Sequence, residues 1–406
     1  MAKKLEKTMN GLKRVRPSDF MIISLVVILV IFGVVMVFSA SYYKSINEAG
    51  TPYSYLQKQA FFAITGFVIM YIASVMDYHI WRKLSPFLLV GSLGLLLAIF
   101  TPLGINVNGA TRWIGVGPIT IMPGEVSKIA VIAFVATYLS DKPDRILSFF
   151  KGVLPLAVLA GLFGGLIVLQ PNLSTAITVV GIVFGMMFLA GLQWRWVILA
   201  FALGGAGIGY ILQADDSNPS IAYWQKRLTS FVDPFKDPQG DGFQAIQSLL
   251  ALGTGGLFGL GLGKSVQKNL YLPEPQNDFI LAIIGEELGF VAILLLLAVF
   301  LLLVWRCFLV SINAPDQFGM LLAGGVTLML GIQVVLNVAV VTSSMPPTGI
   351  AMPFISYGGN ALWIFMGAIG VVLNVSRNAV TKPPEENAAS TRAERIRRRK
   401  ERESLI

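Results

Sequence analysis

The chain has 406 residues, of which 55% are hydrophobic and 13% charged, and its mean hydropathy is +0.72. A soluble domain carries about 25% charged residues, so roughly half the expected charge is missing and a soluble enzyme is excluded. The single cysteine, Cys307, and the single histidine, His79, exclude an internal disulfide and a Cys/His zinc site.

The net charge of +9 lies almost wholly at the two ends. Residues 1–19 form a basic tail with Lys3, Lys4, Lys7, Lys13, Arg14 and Arg16 against Glu6 and Asp19. The C-terminal tail, 377–406, contains the run Arg397 to Lys400 and reads as disordered from Pro383. Placed directly after a membrane helix, that run fits the positive-inside rule and attraction to anionic lipid, so no nucleic-acid partner is expected.

Between the tails, apolar runs of spanning length begin near Phe20, Ala60, Leu84, Val126, Gly152, Leu173, Trp194, Asp278, Phe318 and Ile350. At about 20 residues per crossing they imply an all-α polytopic membrane protein of about ten helices, with its membrane domain over 20–376. An even number puts both termini on one side, and their charge makes that side cytoplasmic. Arg82, Lys83, Lys142, Arg145, Lys151, Arg195 and Arg306 fall on the same side. Phe20 to Ser39 exceeds the apolar core of a signal peptide and reads as the first retained helix. His79, in the polar stretch Asp77 to Lys83, reads as an ordinary interfacial residue.

Two outer loops carry the chemistry. The first, Gly104 to Lys128, holds Arg112, Trp113, Glu125 and Lys128. Arg112 with Trp113 fits an interfacial anchor and a pyrophosphate clamp equally well. Glu125 and Lys128, spaced i, i+3 at a helix start, can pair on one face, either as a structural ion pair or as substrate contacts. The second loop, 214–277 between helices 7 and 8, is long enough to be functional. Its Gly259-Leu-Gly-Leu-Gly-Lys-Ser265 imitates a phosphate-binding loop, but position 258 is Phe where that motif needs Gly. It reads as a flexible or tightly packed turn, with Lys264 and Lys268 available to a phosphate group at the outer surface.

Leu272-Pro-Glu-Pro-Gln-Asn-Asp-Phe279 leads into the next helix. Asp278 fits an N-cap, or an active or transport site. Glu286 and Glu287 then lie about 12 Å further along the axis, Glu286 nearer to the side of Asp278. Intramembrane carboxylates are costly and point to function. Before the last run, Ser343 to Gly359 includes Pro346, Pro347, Pro353 and Ser356. It implies broken helix that is buried in protein or lines a polar cavity, which Gln333 and Asn337 would also line.

Taken together, these segments resemble the SEDS family of bacterial membrane proteins, the group containing FtsW, RodA and SpoVE. The resemblance rests on Asn108-Gly-Ala-Thr-Arg-Trp-Ile114, Pro123-Gly-Glu-Val-Ser-Lys128, Arg227-Leu-Thr-Ser-Phe-Val-Asp-Pro234 and Gln244-Ala-Ile-Gln-Ser248. It continues through Gln267-Lys268, Leu272-Pro-Glu, Asn277-Asp-Phe279, Glu286-Glu-Leu-Gly289, Pro347-Thr-Gly-Ile and Pro353-Phe-Ile-Ser-Tyr-Gly-Gly359, in order across nearly the whole membrane region. Three positions depart from the family pattern: Asn172 where Asp is frequent, Gln276-Asn277 for His-Thr, and Asn360 for Ser. The FtsW/SpoVE branch fits best.

The resemblance implies a peptidoglycan glycosyltransferase that polymerises lipid II into β-1,4 glycan strands at the outer face of the cytoplasmic membrane. It implies Asp278 as general base, with Arg112, Glu125, Lys128, Lys264, Lys268, Glu286 and Ser356 as substrate-binding candidates. The implied partners are a class B penicillin-binding protein (the crosslinking transpeptidase), lipid II, undecaprenyl lipid, and further division or elongation proteins. No cofactor is required by the sequence, although a divalent cation such as Mg2+ is compatible with it. A lipid II flippase and a noncatalytic division scaffold are the rival expectations.

Overall fold

The protein is described by a computed structural model covering residues 18–107, 110–116, 119–213, 225, 231–240, 242–346 and 349–378. Most of both basic tails and the stretch Arg227 to Ser230 therefore lie outside the described residues.

The architecture is a helical membrane bundle: α1 (Phe20–Ala49), α2 (Ser54–Val75), α3 (His79–Ala98), α4 (Pro123–Asp141), α5 (Leu154–Val168), α6 (Leu173–Leu189), α7 (Trp194–Gln213), α8 (Phe243–Gly255), α9 (Ile280–Ile312), α10 (Gln317–Val341) and α11 (Gly359–Arg377). Among the described residues seven segments are long and apolar enough to cross a membrane: α1, α2, α3, Phe149–Val168, α9, α10 and α11. Leu173–Leu189 and Trp194–Gly207 are shorter apolar helices. The fourth apolar run, α4, carries Glu125, Lys128 and Asp141 within its 19 residues.

The structure shifts several expected boundaries, the second and third helices starting at Ser54 and His79 rather than Ala60 and Leu84. The fourth helix starts at Pro123 rather than Val126, because proline suits a helix's first position. The helix expected at Asp278 starts at Ile280, and the one expected at Ile350 starts only at Gly359. The loop after α3 is not irregular throughout but holds an antiparallel sheet in the order β1 (Gly104–Val107), β2 (Ala110–Val116), β3 (Ile119–Ile121).

Polar contacts sort the helix ends. Asp19 caps α1, pairs with Arg306 of α9 at 2.6 Å and donates its own backbone N–H to the Ser376 hydroxyl oxygen, 3.3 Å away. Asn374 of α11 accepts from the backbone of Tyr78 at 2.9 Å, and the Tyr78 hydroxyl donates to Asp316, the N-cap of α10. Burial and that bond to a carboxylate hold the Tyr78 phenol above its usual pKa. His79 lies between Asp77 (2.7 Å) and Asp316 (3.2 Å), so it ties two turns together. Arg82 pairs with Asp141. One end of the bundle therefore gathers the α1 start, the α2/α3 turn, the α9/α10 turn and the α11 end.

At the other end, α9 is broken. Gly289 has φ 82°, and a Cβ there would lie 2.4 Å from both Gly259 N and Leu257 O. The glycine-rich turn repairs the break: Leu260 N donates to Glu286 O and Gly261 N to Glu287 O, each at 2.9 Å, while Phe290 N donates to Gly256 O at 2.9 Å. A break at membrane depth is tolerated when neighbouring protein takes up the freed backbone groups. The false phosphate loop is thus a tightly packed turn.

Candidate functional site

Asp278 lies in a turn. The cap position of α9 belongs to Phe279 and has no side-chain cap bond, so Asp278 is not the N-cap that its sequence position allows. Glu274, at φ 50°, bends the chain ahead of it and delays the helix. The backbone around Asp278 is held from two further sides. Tyr357 N donates to Gln276 O at 2.9 Å, and the Asn337 amide donates to both Asp278 O (2.9 Å) and Ile350 O (2.8 Å).

Arg112 comes from the sheet. β1 and β2 shift register between Ile105 and Asn106, where Trp113 faces Ile105 and Thr111 faces Asn106, so Arg112 is the extra residue of a bulge. A bulge re-aims a side chain. Here the guanidinium donates to Pro171 O in the α5/α6 turn. That turn is fixed by Gln170, whose amide donates to Leu96 O at 3.2 Å, and by Asn172, which caps α6 by accepting from Thr175 N at 3.3 Å. Asn and Asp cap equally well, so Asn172 in place of the frequent Asp keeps the geometry.

The carboxylate and the guanidinium converge at Gly349. A Cβ built there would lie 3.3 Å from Arg112 Nη1 and 3.5 Å from Asp278 Oδ2. Both side chains are half-buried. A proton acceptor and a fork of positive donors thus face one small space beside the proline-rich segment.

Beneath it lies a buried polar network. Lys128 Nζ reaches Glu125 at 2.7 Å and Gln333 Oε1 at 2.8 Å, and it stands 5.2 Å from the centre of the Phe365 ring. Gln333 donates onward to Ala351 O at 3.2 Å. The i, i+3 pairing is therefore formed, with Lys128 1% exposed. Gln333 and Asn337, expected to line a cavity, are instead buried and satisfy carbonyls of the non-helical segment. Ser356 is buried too, its hydroxyl accepting from Met352 N at 2.7 Å.

Glu286, Glu287 and Lys268 form a second cluster. Glu287 pairs with Lys268 at 2.7 Å and accepts from Ser39 at 2.7 and 2.8 Å. Glu286 accepts from the Ser265 hydroxyl and from Val266 N at 2.9 Å. Lys268, expected at the outer surface for a phosphate, is 2% exposed because Glu287 holds it inside, whereas Lys264 is exposed. Glu286 clamps the glycine-rich turn and is not brought to Asp278 by any of these bonds. Glu274 and Gly349 stood in the matched motifs Leu272-Pro-Glu and Pro347-Thr-Gly-Ile without a role, and Lys44 was not singled out, its i, i+4 spacing to Glu48 being the local signal.

No group of three or more His, Cys, Asp or Glu side chains converges to hold a metal among the described residues.

The family described as cell cycle protein, comprising FtsW, RodA and SpoVE, matches residues 19–381. The probable peptidoglycan glycosyltransferase FtsW of Geobacter sp. (strain M18) is 40% identical over 90% of this chain and 98% of its own. Stage V sporulation protein E of Bacillus subtilis (strain 168) is 41% identical over 88% and 97%. Among solved structures, a chain of a peptidoglycan synthase complex that coordinates polymerisation and crosslinking is similar with a TM-score of 0.74 and 29% identity, covering 90% of this chain and 99% of that one. Rod shape determining protein RodA of Thermus thermophilus is similar with a TM-score of 0.65 and 28% identity, covering 90% and 98%.

Proposed function

The chain belongs to the FtsW/RodA/SpoVE family, and from that premise we propose that it is a peptidoglycan glycosyltransferase acting on lipid II at the outer face of the cytoplasmic membrane. It is a multi-pass membrane protein. The observation that carries the reading is the convergence of Asp278 Oδ2 and Arg112 Nη1 at Gly349.

In this reading the Asp278 carboxylate takes the proton from the acceptor sugar's 4-hydroxyl. The freed oxygen bonds to the donor's anomeric carbon as the bond from that carbon to the lipid pyrophosphate breaks. A positioned general base contributes about 10²- to 10⁴-fold. The electron pair leaves with the pyrophosphate, and Arg112 faces that charge with a planar fork suited to phosphate oxygens. Lys128, buried against Glu125 and Gln333, holds the floor of the site, and Arg112 is the cation that reaches the space at Gly349. No step is routed through a divalent cation. The partner is a class B penicillin-binding protein, a proposal supported by the similarity to a synthase complex.

The test is polymerisation of purified lipid II by the purified protein, alone and with its transpeptidase. Glycan strands that depend on Asp278 support the reading. Translocation of lipid II without polymerisation would favour a transporter.

A further inference from the structure

The Glu274 carboxylate gathers three donors. One oxygen takes the ion pair from Lys44, on the last turns of α1. The other accepts from the Gln276 amide at 3.0 Å and from the Asn277 amide at 2.9 Å. Those two residues immediately precede Asp278. Their amide oxygens make no hydrogen bond among the described residues, so the side chains are oriented from their nitrogen ends by Glu274. The backbone repeats the tie, with Asn277 N donating to Glu274 O at 3.0 Å. Lys44 in turn stands 3.8 Å from Glu48, which accepts from the Tyr55 hydroxyl at 2.7 Å and so binds α1 to α2.

An exposed ion pair contributes little to stability and is usually incidental. Lys44 and Glu274 differ, because one carboxylate oxygen is committed to the helix bundle and the other to the turn that carries Asp278. Asn337 and Tyr357 fix that turn from the α10 and proline-rich sides. The Lys44 contact fixes it from the α1 side.

We propose that Lys44 and Glu274 are positioning residues that set the aim of the Asp278 carboxylate, an inference that rests on Asp278 being the base. Neither touches the reacting atoms. Shifts of the order of 1 Å in a reacting group lower rates by about 10²-fold, so a loosened turn should act on kcat.

The experiment compares the full-length protein, with its transpeptidase, as Glu274→Gln, Lys44→Met, the double variant, Lys44→Arg and Asp278→Asn, using lipid II as substrate. Glu274→Gln keeps an acceptor for the amides but loses the charge that holds Lys44. Each single neutralisation should lower kcat by about tenfold with KM for lipid II within about twofold. The double variant should be no worse than the worse single one, since both remove one contact. Lys44→Arg should restore most of the rate, and thermal unfolding should stay near that of the parent. Additive losses, a change confined to KM, or full kcat in Glu274→Gln overturn the proposal. An inactive Asp278→Asn beside a fully active Glu274→Gln sinks only this inference. An active Asp278→Asn removes the general base itself, and the inference with it.

Discussion

Arg112 and Asp278, 166 positions apart in the sequence, reach the same point, Nη1 at 3.3 Å and Oδ2 at 3.5 Å from the Cβ position of Gly349. The first is delivered by a β-bulge and the second by a turn that postpones α9. Gly349 itself has φ 73°, a conformation that glycine adopts without steric strain.

Gly349→Ala therefore adds strain and fills the space between the two groups. An L-residue in left-handed backbone costs about 1–2 kcal/mol, which a folded bundle can absorb. The methyl stands where substrate is expected to sit, so polymerisation should fall by about tenfold or more while the protein still purifies as a monodisperse species. Rates measured beside size-exclusion profiles check this; a well-folded variant with the parent's rate would remove Gly349 from the site.

The pair Glu125 and Lys128 makes a stability prediction. Lys128→Met strands a carboxylate that is 6% exposed, at a cost of about 3–5 kcal/mol. The Glu125→Gln, Lys128→Met double variant removes both charges and should recover most of that loss in thermal unfolding. A double variant as unstable as Lys128→Met alone would show that the ion pair is not the origin of the effect.

Orientation is open to a direct test at Lys264, which is exposed on the glycine-rich turn. Cys307 is wholly buried, and Cys307→Ala clears the background. Lys264→Cys should react with an impermeant maleimide in intact cells. Reaction only after lysis reverses the assignment of the Asp278 end to the outer face.

How far the sequence reached depended on how local each interaction was. The Glu125–Lys128 pair was legible because three residues on one helix bring its partners together. The break before α11 was legible because closely spaced prolines, Pro346 and Pro353 among the described residues, disrupt regular helix. The helix start after Asp278 was misplaced because the bend at Glu274, at φ 50°, lies ahead of it in a way that no spacing rule reports, and with that the N-cap alternative for Asp278 falls away. Lys268 was misplaced for a similar reason. Its partner Glu287 sits across a helix break whose repair by the glycine-rich turn exists only in three dimensions. The sheet that aims Arg112 was hidden among short strands of three to seven residues. Its bulge depends on pairing register, which the residues of one strand do not encode alone.

The most direct measurement is lipid II polymerisation by purified Asp278→Asn with its transpeptidase. Asp278 makes no N-cap, so the amide has no cap to preserve or lose, and its similar volume leaves the turn held by Asn337 and Tyr357 intact. An amide does not accept the hydroxyl proton at useful rates, so the rate should fall by about 10²-fold or more, with unfolding temperature and partner binding kept. Polymerisation near the parent's rate by folded Asp278→Asn would contradict the general-base account.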